Sequence, residues 1–231
     1  MEKFSAIVLA AGSGSRMGLD VKKQYLNLLG KPLVYYALDT FEKSGVSEIV
    51  LVTSPGDEAY VKEEIVDAFG FLKVSAIVPG GKERYDSVYE GLKACSGDYV
   101  LIHDGARAFI TEDVIKRAME DVVKSKANVA AVPVKDTIKL SDADGFVADT
   151  IDRSRAWSVQ TPQSFSLPLV KEAYEKALSG DTTGITDDAM IVEKMTDCKV
   201  KFIEGSYDNI KVTTVEDIAL GEIILKKQNR C

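Results

Sequence analysis

Short apolar runs alternate with amphipathic segments along the first half of the chain. The apolar runs are rich in β-branched residues and predict strands at Ser5 to Leu9, Ile49 to Thr53, Val74 to Val78, Tyr99 to Ile102 and Val129 to Val134. The amphipathic segments predict helices at Pro32 to Glu42, Glu58 to Phe69, Arg84 to Ala94 and Glu112 to Lys124. Strands joined by helical crossovers pair in parallel, so we predict an α/β fold with a doubly wound, mostly parallel, Rossmann-like sheet.

The alternation breaks between Lys135 and Trp157. The runs Thr137-Ile138-Lys139-Leu140 and Phe146-Val147 flank the turn sequence Asp-Ala-Asp-Gly at 142–145, which predicts a β-hairpin. A hairpin this isolated cannot bury its own apolar face. Two interpretations stay open, an ordinary surface hairpin and an arm that packs against another molecule.

Length and composition indicate one domain. The chain has 231 residues, of which 45% are hydrophobic, and this suits a single α/β domain spanning residues 1–231. Its apolar runs fall short of the ~18 residues that span a membrane. Glu2 and Lys3 precede a short strand rather than a signal peptide. We therefore expect a cytoplasmic protein with no membrane partner.

Charge and cysteine content narrow the function classes further. The formal net charge of −7 argues against a nucleic-acid partner, because binding a polyanion needs an extended basic face. Local basic residues are then expected to serve a small anion. Cys95, Cys198 and Cys231 are scattered without metal-ligand spacing, which suits a reducing compartment, and we assign them no function.

The first strand runs into a loop of small residues with cations just beyond it. The loop reads Ala10-Ala11-Gly12-Ser13-Gly14-Ser15-Arg16-Met17-Gly18, and Lys22-Lys23-Gln24-Tyr25 follows. Backbone N–H groups in such a loop can approach a phosphate chain closely, while Arg and Lys neutralise its charge. The pattern predicts a nucleotide site. The alternative is a glycine-rich turn that binds no ligand.

Two common nucleotide motifs do not fit this loop. A P-loop would end in Gly-Lys-Ser/Thr, and a dinucleotide fingerprint would have Gly where Met17 stands. The acid that closes the second strand of a dinucleotide fold is also missing, because Asp39 lies in a predicted helix. An NAD-binding oxidoreductase is thus disfavoured. A nucleotide sensor without turnover is disfavoured by the presence of both Arg16 and Lys23.

Further motifs follow in a fixed order at the carboxyl ends of strands and in the second half of the chain. They are Pro79 to Val88, His103 to Arg107, Lys135 to Thr137, Ile151 to Arg153, Thr161 to Gln163, Ile185 to Asp187 and Asp208 to Thr213. In this order and spacing, over roughly residues 4 to 225, the chain closely resembles the 2-C-methyl-D-erythritol 4-phosphate cytidylyltransferase family.

The resemblance implies a fold of the nucleotidyltransferase type and a reaction of non-mevalonate isoprenoid synthesis. In it a cytidylyl group passes from CTP to 2-C-methyl-D-erythritol 4-phosphate, and pyrophosphate leaves. The sister ribitol 5-phosphate cytidylyltransferase is the alternative, since it shares the loop and the fold. The runs at 131–139 and 208–211 favour the first interpretation.

Cytidylyl transfer to a phosphate requires cations at fixed positions rather than a general base. The attacking phosphate is already ionised, so charge repulsion and positioning set the barrier. The resemblance implies that Arg16 and Lys23 stabilise the transition state, with Arg153 and Lys211 as further catalytic cations. The choice of Lys23 over Lys22 follows from register within the motif.

The resemblance also implies the nucleotide-binding residues. Gly80 and Gly81 would form the cytosine pocket, with Lys82 and Ser87 nearby. The full expected set is Ala10, Ala11, Gly12, Ser13, Gly14, Gly80, Gly81, Lys82, Ser87 and Asp104. Mg²⁺, or another divalent cation, would be held mainly by the triphosphate. No protein ligand of the metal is assured. Asp104 is the candidate, with a structural capping role as its alternative.

The expected sugar-phosphate contacts combine hydroxyls with cations, which suits a polyol phosphate. They are Asp104, Arg107, Thr137, Arg153, Thr161, Thr186 and Lys211, and each Thr has a surface or capping role as its alternative. Arg84 is expected to make a phosphate or structural contact. His103 is expected to be structural, because the chemistry needs no base. The resemblance implies that residues 135–157 form a β-arm that embraces a second subunit, making a homodimer.

Overall fold

The computed structural model describes residues 2–12 and 22–230. The strands are β1 (Phe4–Ala10), β2 (Asn27–Leu28), β3 (Lys31–Pro32), β4 (Glu48–Thr53), β5 (Val74–Pro79), β6 (Tyr99–Asp104), β7 (Ala127–Pro133), β8 (Lys139–Ser141), β9 (Val147–Thr150), β10 (Trp157–Ser166) and β11 (Lys201–Glu204). The helices are α1 (Leu33–Lys43), α2 (Glu58–Val61), α3 (Arg84–Ala94), α4 (Glu112–Ser125), α5 (Leu167–Leu178), α6 (Asp188–Met195) and α7 (Glu216–Lys227).

The central sheet has the strand order β11-β7-β10-β6-β1-β4-β5. Neighbouring strands pair in parallel except at β10, which runs antiparallel to both β6 and β7. The predicted mostly parallel α/β sheet is therefore confirmed. Because β10 runs the opposite way, its first residues lie at the edge where the parallel strands end.

The sheet is covered on both faces, and β1 shows why. Ile7 and Val8 are both fully buried, although successive side chains of a strand point to opposite faces. Val8 packs in a core with Leu38 of α1, whereas Ile7 packs in a second core with Val88 of α3. Strands buried on both faces read as continuous apolar runs. This is why the five strand predictions succeeded.

The predicted boundaries of the strands and of most helices lie within two residues of the observed ones, and two segments show why they differ. The segment predicted as a helix from Glu58 to Phe69 begins as α2 and continues as a π-helical segment, Lys62–Asp67, which keeps Ile65 and Val66 in the core. The fourth strand was predicted to end at Ile102. The ladder with β1 instead carries it through His103 and Asp104, because Val8 and Leu9 pair with those two residues.

The predicted hairpin is present as β8 and β9. Lys139 pairs with Thr150 and Leu140 with Asp149. Every residue from 135 to 155 is exposed, including Phe146 at 72%. The hairpin, defined from here as the arm (residues 135–157), leaves the sheet after β7 and returns at β10, where Trp157 pairs with Pro133.

Three small features complete the description. A third core cluster places α7 against α1, with Leu225 packing near Tyr36 and Phe109. Among residues 2–12 and 22–230, no helix is long and apolar enough to cross a membrane. Cys95 is buried and Cys198 partly exposed, both as free thiols, while Cys231 lies outside the described residues.

Candidate functional site

A cavity of about 530 Å³ lies at the carboxyl ends of β1 and β6, beside the N-terminus of α3. Ligands bind at this edge in open α/β sheets, and the volume suits a small organic ligand. Its described lining consists of Leu9, Ala10, Ala11, Gly12, Lys23, Gln24, Gly81, Lys82, Glu83, Arg84, Ser87, Asp104, Ala106, Lys211 and Thr213. Nine residues predicted for the site are therefore brought together here.

The first wall of the cavity is the end of β1 and the start of the loop after it. Ala10 is buried in the sheet, and the hydroxyl of Ser54 donates to the Ala11 carbonyl at 3.3 Å. A side chain at Gly12 would meet no described atom within 4 Å, so the backbone is open to the cavity. The predicted residues Ser13, Gly14 and Arg16 lie outside the described residues.

The two adjacent lysines have different surroundings. The Lys22 ammonium donates to the Asp57 carboxylate at 2.6 Å, and that carboxylate also accepts a hydrogen bond from Tyr25 at 3.0 Å. Lys23 lies in a 3₁₀ turn, Lys23–Tyr25, and lines the cavity. The geometry therefore favours Lys23 over Lys22 as the cation that meets a ligand.

The second wall is backbone packed against the start of α3. Gly81 N–H donates to the Ser87 hydroxyl at 3.1 Å. A Cβ on Gly80 would lie 2.6 Å from that of Ala11, and one on Gly81 would lie 2.2 Å from that of Asp86. Only glycine fits at either position. The missing side chains let this backbone pack closely against Ala11 and the start of α3. Gly81 and the exposed Lys82 line the cavity, whereas Gly80 is buried and is not among the lining residues.

Asp104 is the carboxylate at the floor of the cavity. Its Oδ2 accepts a hydrogen bond from the Lys211 ammonium at 2.6 Å, and its Oδ1 accepts one from Arg84 Nε at 3.3 Å. Burial alone would raise the pKa of Asp104, but the charges of Arg84 and Lys211 outweigh it and hold that pKa well below the ordinary value. Asp104 is therefore a fixed anion that orients Lys211.

Behind Asp104 lies an ion pair that the sequence did not indicate. The two terminal nitrogens of Arg84 donate to the two carboxylate oxygens of Asp188 at 2.8 and 2.9 Å. Tyr174 donates to the same carboxylate at 2.5 Å, and both Asp188 and Tyr174 are fully buried. Burial, and then the negative charge of Asp188, raise the pKa of Tyr174 well above its ordinary value. No local pattern links residues so far apart in the chain.

His103 is held in a buried hydrogen-bond network. Its Nε2 donates to the Arg107 carbonyl at 3.1 Å, and its Nδ1 accepts from the Thr161 hydroxyl at 3.0 Å. That hydroxyl in turn accepts the Asp104 N–H at 3.1 Å. Burial lowers the pKa of His103 to about 4, so the ring is neutral. Both His103 and Thr161 thus support the strand end that carries Asp104.

Five predicted substrate contacts are not among the described residues that line the cavity. Arg107 donates from Nη1 to the Asn209 carbonyl at 2.8 Å, with burial lowering its pKa. Thr186 is exposed just before α6. Thr137 and Arg153 are exposed on the arm, where Arg153 Nη1 donates to the Lys135 carbonyl at 3.1 Å. The fifth residue, Thr161, is buried, and its hydroxyl bonds to His103 and Asp104 as described above.

Metal-binding capacity is limited to single carboxylates. In the described part of the chain, no three His, Cys, Asp or Glu side chains gather as a metal site. Asp104 and Glu83 are the acidic residues of the described lining. This donor set suits a divalent cation that arrives bound to phosphate oxygens, since Mg²⁺ keeps several waters and needs only one or two carboxylates.

The arrangement is suited to binding a polyphosphate. Lys23, Lys82 and Lys211 lie around one cavity, Asp104 fixes one of them, and Gly81 offers a flat backbone surface. Cations at fixed positions stabilise charge that develops on transferring phosphates, because they need no reorganisation during the reaction. The geometry indicates phosphoryl-type transfer from a nucleotide rather than acid–base chemistry.

Comparisons with known proteins agree with this chemistry. The family model IspD, 2-C-methyl-D-erythritol 4-phosphate cytidylyltransferase, matches residues 4–227. A relative of that name from Alkaliphilus oremlandii is 50% identical over 229 residues, 98% of this chain and 96% of its own. Another, from Lachnoclostridium phytofermentans, is 46% identical over 228 residues, 98% of each chain.

Solved structures show the same similarity. The crystal structure of the 4-diphosphocytidyl-2C-methyl-D-erythritol synthase from Anaerococcus prevotii has a TM-score of 0.86 and 35% identity, over 97% of this chain and 96% of that one. That of 2-C-methyl-D-erythritol 4-phosphate cytidylyltransferase from Thermus thermophilus has a TM-score of 0.79 and 27% identity, over 98% and 100%. Similarity therefore extends over the whole sheet and the cavity at its edge.

Proposed function

Because this chain belongs to the 2-C-methyl-D-erythritol 4-phosphate cytidylyltransferase family, we propose that its reaction takes place in the cavity between β1, β6 and α3. The chain is a nucleotidyltransferase that transfers a cytidylyl group from CTP to 2-C-methyl-D-erythritol 4-phosphate. The products are 4-diphosphocytidyl-2-C-methyl-D-erythritol and pyrophosphate, a step of non-mevalonate isoprenoid synthesis. The observation that carries the location is the convergence of three lysines on one cavity with a bare glycine wall.

The nucleotide occupies the side of the cavity formed by β1 and α3. The cytosine lies beside the backbone of Gly80 and Gly81, of which Gly81 lines the cavity, and the triphosphate follows the loop that starts at Ala10. Lys23 and Arg16 neutralise the phosphates as charge develops in the transition state. Ser87 and Lys82 border the base, the former already ordered by its bond with Gly81.

The methylerythritol phosphate occupies the side near Asp104. Lys211 meets its phosphate, and the Asp104 carboxylate holds Lys211 in place and faces the substrate hydroxyls. Arg107 and Thr186 act as further contacts on this side, whereas Thr161 is a buried support for Asp104 and does not itself meet the substrate. The substrate phosphate attacks the α-phosphorus in line, and alignment of the two reactants supplies much of the rate enhancement.

The cavity would admit a divalent cation bound to the nucleotide. On the triphosphate, Mg²⁺ would neutralise part of the negative charge and so reduce the repulsion of the attacking phosphate. Asp104 is the residue that can reach such an ion, and its ionised state at neutral pH suits that role. The three lysines share the remaining phosphate charge.

The arm completes the enzyme as a homodimer in the cytoplasm. Residues 1–231 act as one catalytic domain, and residues 135–157 serve dimerisation. Leu140, Phe146 and Val147 are 48%, 72% and 65% exposed, an apolar surface that a second subunit would cover. Thr137 and Arg153 then enter the partner's cavity. The exposure of both side chains, outside the cavity of their own subunit, supports this assignment.

Pyrophosphate release tests the function. The protein is supplied with CTP and either 2-C-methyl-D-erythritol 4-phosphate or ribitol 5-phosphate, and kcat/KM is measured for each. The first substrate should exceed the second by at least ~10-fold, a gap of about 1.4 kcal/mol in transition-state binding. The reverse ranking would assign the chain to the ribitol branch. ATP or GTP in place of CTP should release far less pyrophosphate, because a purine exceeds the glycine-walled pocket.

A further inference from the structure

Asp188 is a fully buried carboxylate at the start of α6 that the reaction described above does not use. It accepts two hydrogen bonds from the Arg84 guanidinium and one from the Tyr174 hydroxyl. Burying a charged pair is costly unless its geometry is excellent and all donors are satisfied. Because Arg84 also lines the cavity, the Arg84–Asp188 pair can affect the reaction.

The position of Arg84 supplies that explanation. Arg84 stands between two carboxylates, and Asp188 occupies both of its terminal nitrogens, at 2.8 and 2.9 Å. The group that faces Asp104 is Nε, at 3.3 Å, whereas Lys211 lies 2.6 Å from the other oxygen of Asp104. The Asp188 contact thus determines which part of Arg84 the cavity meets, and it leaves Lys211 as the closer partner of Asp104.

We propose that Asp188 is a positioning residue for the transfer reaction, which it assists by holding Arg84 so that Asp104 stays directed at Lys211. The proposal rests on the proposed function of the cavity. Tyr174 also helps to hold Arg84 in place, because its hydroxyl donates a hydrogen bond to one of the two Asp188 oxygens that bind Arg84.

Loss of the Asp188 carboxylate leaves the two terminal nitrogens of the Arg84 guanidinium without their bidentate partner. Arg prefers a bidentate pair with a carboxylate, and Asp104 would be the nearest one available. Asp104 would then turn toward Arg84 and away from Lys211, and the cation expected to meet the substrate phosphate would lose its support. Misplacement of a reacting group by about 1 Å can cost ~10²-fold in rate.

A double-mutant cycle between Asp188→Asn and Arg84→Met tests the proposal. We expect Asp188→Asn to lower kcat/KM for methylerythritol phosphate by about 10- to 100-fold. Adding it to Arg84→Met should lower kcat/KM by less than about threefold more, because the group through which Asp188 acts is already gone. The matched control is Glu193→Gln, which removes a carboxylate from the exposed side of the same helix and should leave kcat/KM unchanged.

Two results would overturn the proposal. One is wild-type kcat/KM in Asp188→Asn, and the other is a double variant whose loss equals the product of the two single losses, which indicates independent action. Melting temperatures are recorded for all variants. The double variant removes both charges and should melt near wild type, since apolar or neutral replacement of a buried pair is often tolerated.

Should Asp188→Asn alone fail to fold, Arg84→Lys provides the test. It keeps the positive charge beside Asp188 but lacks the fork that bridges two carboxylates. A stable Arg84→Lys protein with kcat/KM lowered about tenfold or more supports the proposal, and one with wild-type kcat/KM overturns it. Failure of the proposed function is distinct, because the wild-type protein would then release no pyrophosphate from CTP and methylerythritol phosphate.

Discussion

The cavity and the arm place their charged and apolar side chains in opposite ways. Around the cavity, Arg84, Asp104 and Asp188 are mostly or fully buried and bond to one another across distant parts of the chain. Along the arm, side chains are exposed and bonds stay local, as between Lys139 and Thr150. The cavity is thus ordered by folding of a single chain. The arm has a defined backbone but an apolar surface that folding leaves uncovered.

The largest effect should come from the cations that we propose stabilise the transition state, Lys23 and Arg16. We expect Lys23→Ala and Arg16→Ala each to lower turnover at saturating substrate by ~10²-fold or more, because each removes a charge that stabilises the transition state. Melting temperature and dimer content should change little in either variant. Turnover, melting and sedimentation are measured together. Near-normal turnover would remove that residue from the catalytic set.

Mixing subunits tests whether the arm serves its own cavity or that of a partner. Lys23→Ala and Arg153→Ala proteins, each nearly inactive alone, are unfolded and refolded together. If Arg153 acts across the interface, one site of each mixed dimer carries both defects and the other carries none. With random pairing half the dimers are mixed, so about a quarter of wild-type activity should return.

The control for this mixing is subunit exchange itself. Chains with two different affinity tags show by co-purification that mixed dimers have formed. If exchange is complete and no activity returns, every site carries one defect, and Arg153 serves its own subunit. The cytidylyltransferase activity of the wild-type chain is unaffected by that result.

Glycine-to-alanine substitutions at Gly81 and Gly145 compare the cavity with the arm and should have smaller effects than the substitutions above. Gly81→Ala places a Cβ 2.2 Å from that of Asp86 and should raise KM for CTP about tenfold, because the cytosine wall and the α3 N-terminus must shift. Gly145, at the tip of the arm, has φ of +87° and no atom near its missing Cβ. Gly145→Ala should cost about 1 kcal/mol of local strain and leave KM for CTP unchanged. Equal KM values in the two variants would contradict the pocket assignment.

The smallest expected effect is the change of protein stability with pH that comes from His103, the residue before Asp104 in β6. The folded-state pKa of His103 is about 4, below the ordinary 6.5, so the unfolded chain takes up a proton first as pH falls. This contribution to stability is complete above pH 6.5 and is lost toward pH 4. Between pH 7 and 5.5 the free energy of unfolding should fall by about 1 kcal/mol. The stabilisation that follows from the lowered pKa of Asp104 is fully present above its ordinary value of 3.8 and is lost only below it, so it stays constant between pH 7 and 5.5.

Urea unfolding at several pH values measures this loss. The reference is His103→Gln, whose side chain does not titrate in that range. Its stability should be lower than that of wild type at pH 7 but flatter between pH 7 and 5.5. Parallel curves for the two proteins would show that another group carries the pH dependence.

Local sequence patterns predicted the helices and strands whose ends and buried faces are set by neighbouring residues in the chain. Helix α3 has its predicted bounds, Arg84 to Ala94, because Glu83 and Asp86 form a capping box at its start. Strand β10 was not predicted, since its buried residues include Gln160, Thr161 and Gln163, which read as polar loop. Its antiparallel direction depends on neighbouring strands rather than on its own sequence.

For the site, too, the sequence predicted the residues that lie in local motifs but not the contacts between distant residues. Motif resemblance identified Lys23, Asp104 and Lys211, which all line or face one cavity. It did not identify the partner of Arg84, because which buried carboxylate an arginine meets is decided by how α6 packs beside α5, which itself contacts α3. The pairing of residues 84 and 188 has no periodic signal in the chain.

The reversed direction of β10 has a consequence for how this enzyme can be altered. Since β7 ends and β10 begins at the same edge of the sheet, the chain between Pro133 and Trp157 departs and returns without crossing to the far side. A change of length at the exposed tip of the arm, near Gly145, is therefore expected to leave the strand order unchanged. A peptide, a reporter or a second binding module grafted at this position would be displayed beside the cavity mouth, which makes the arm a natural attachment point for engineered control of the enzyme.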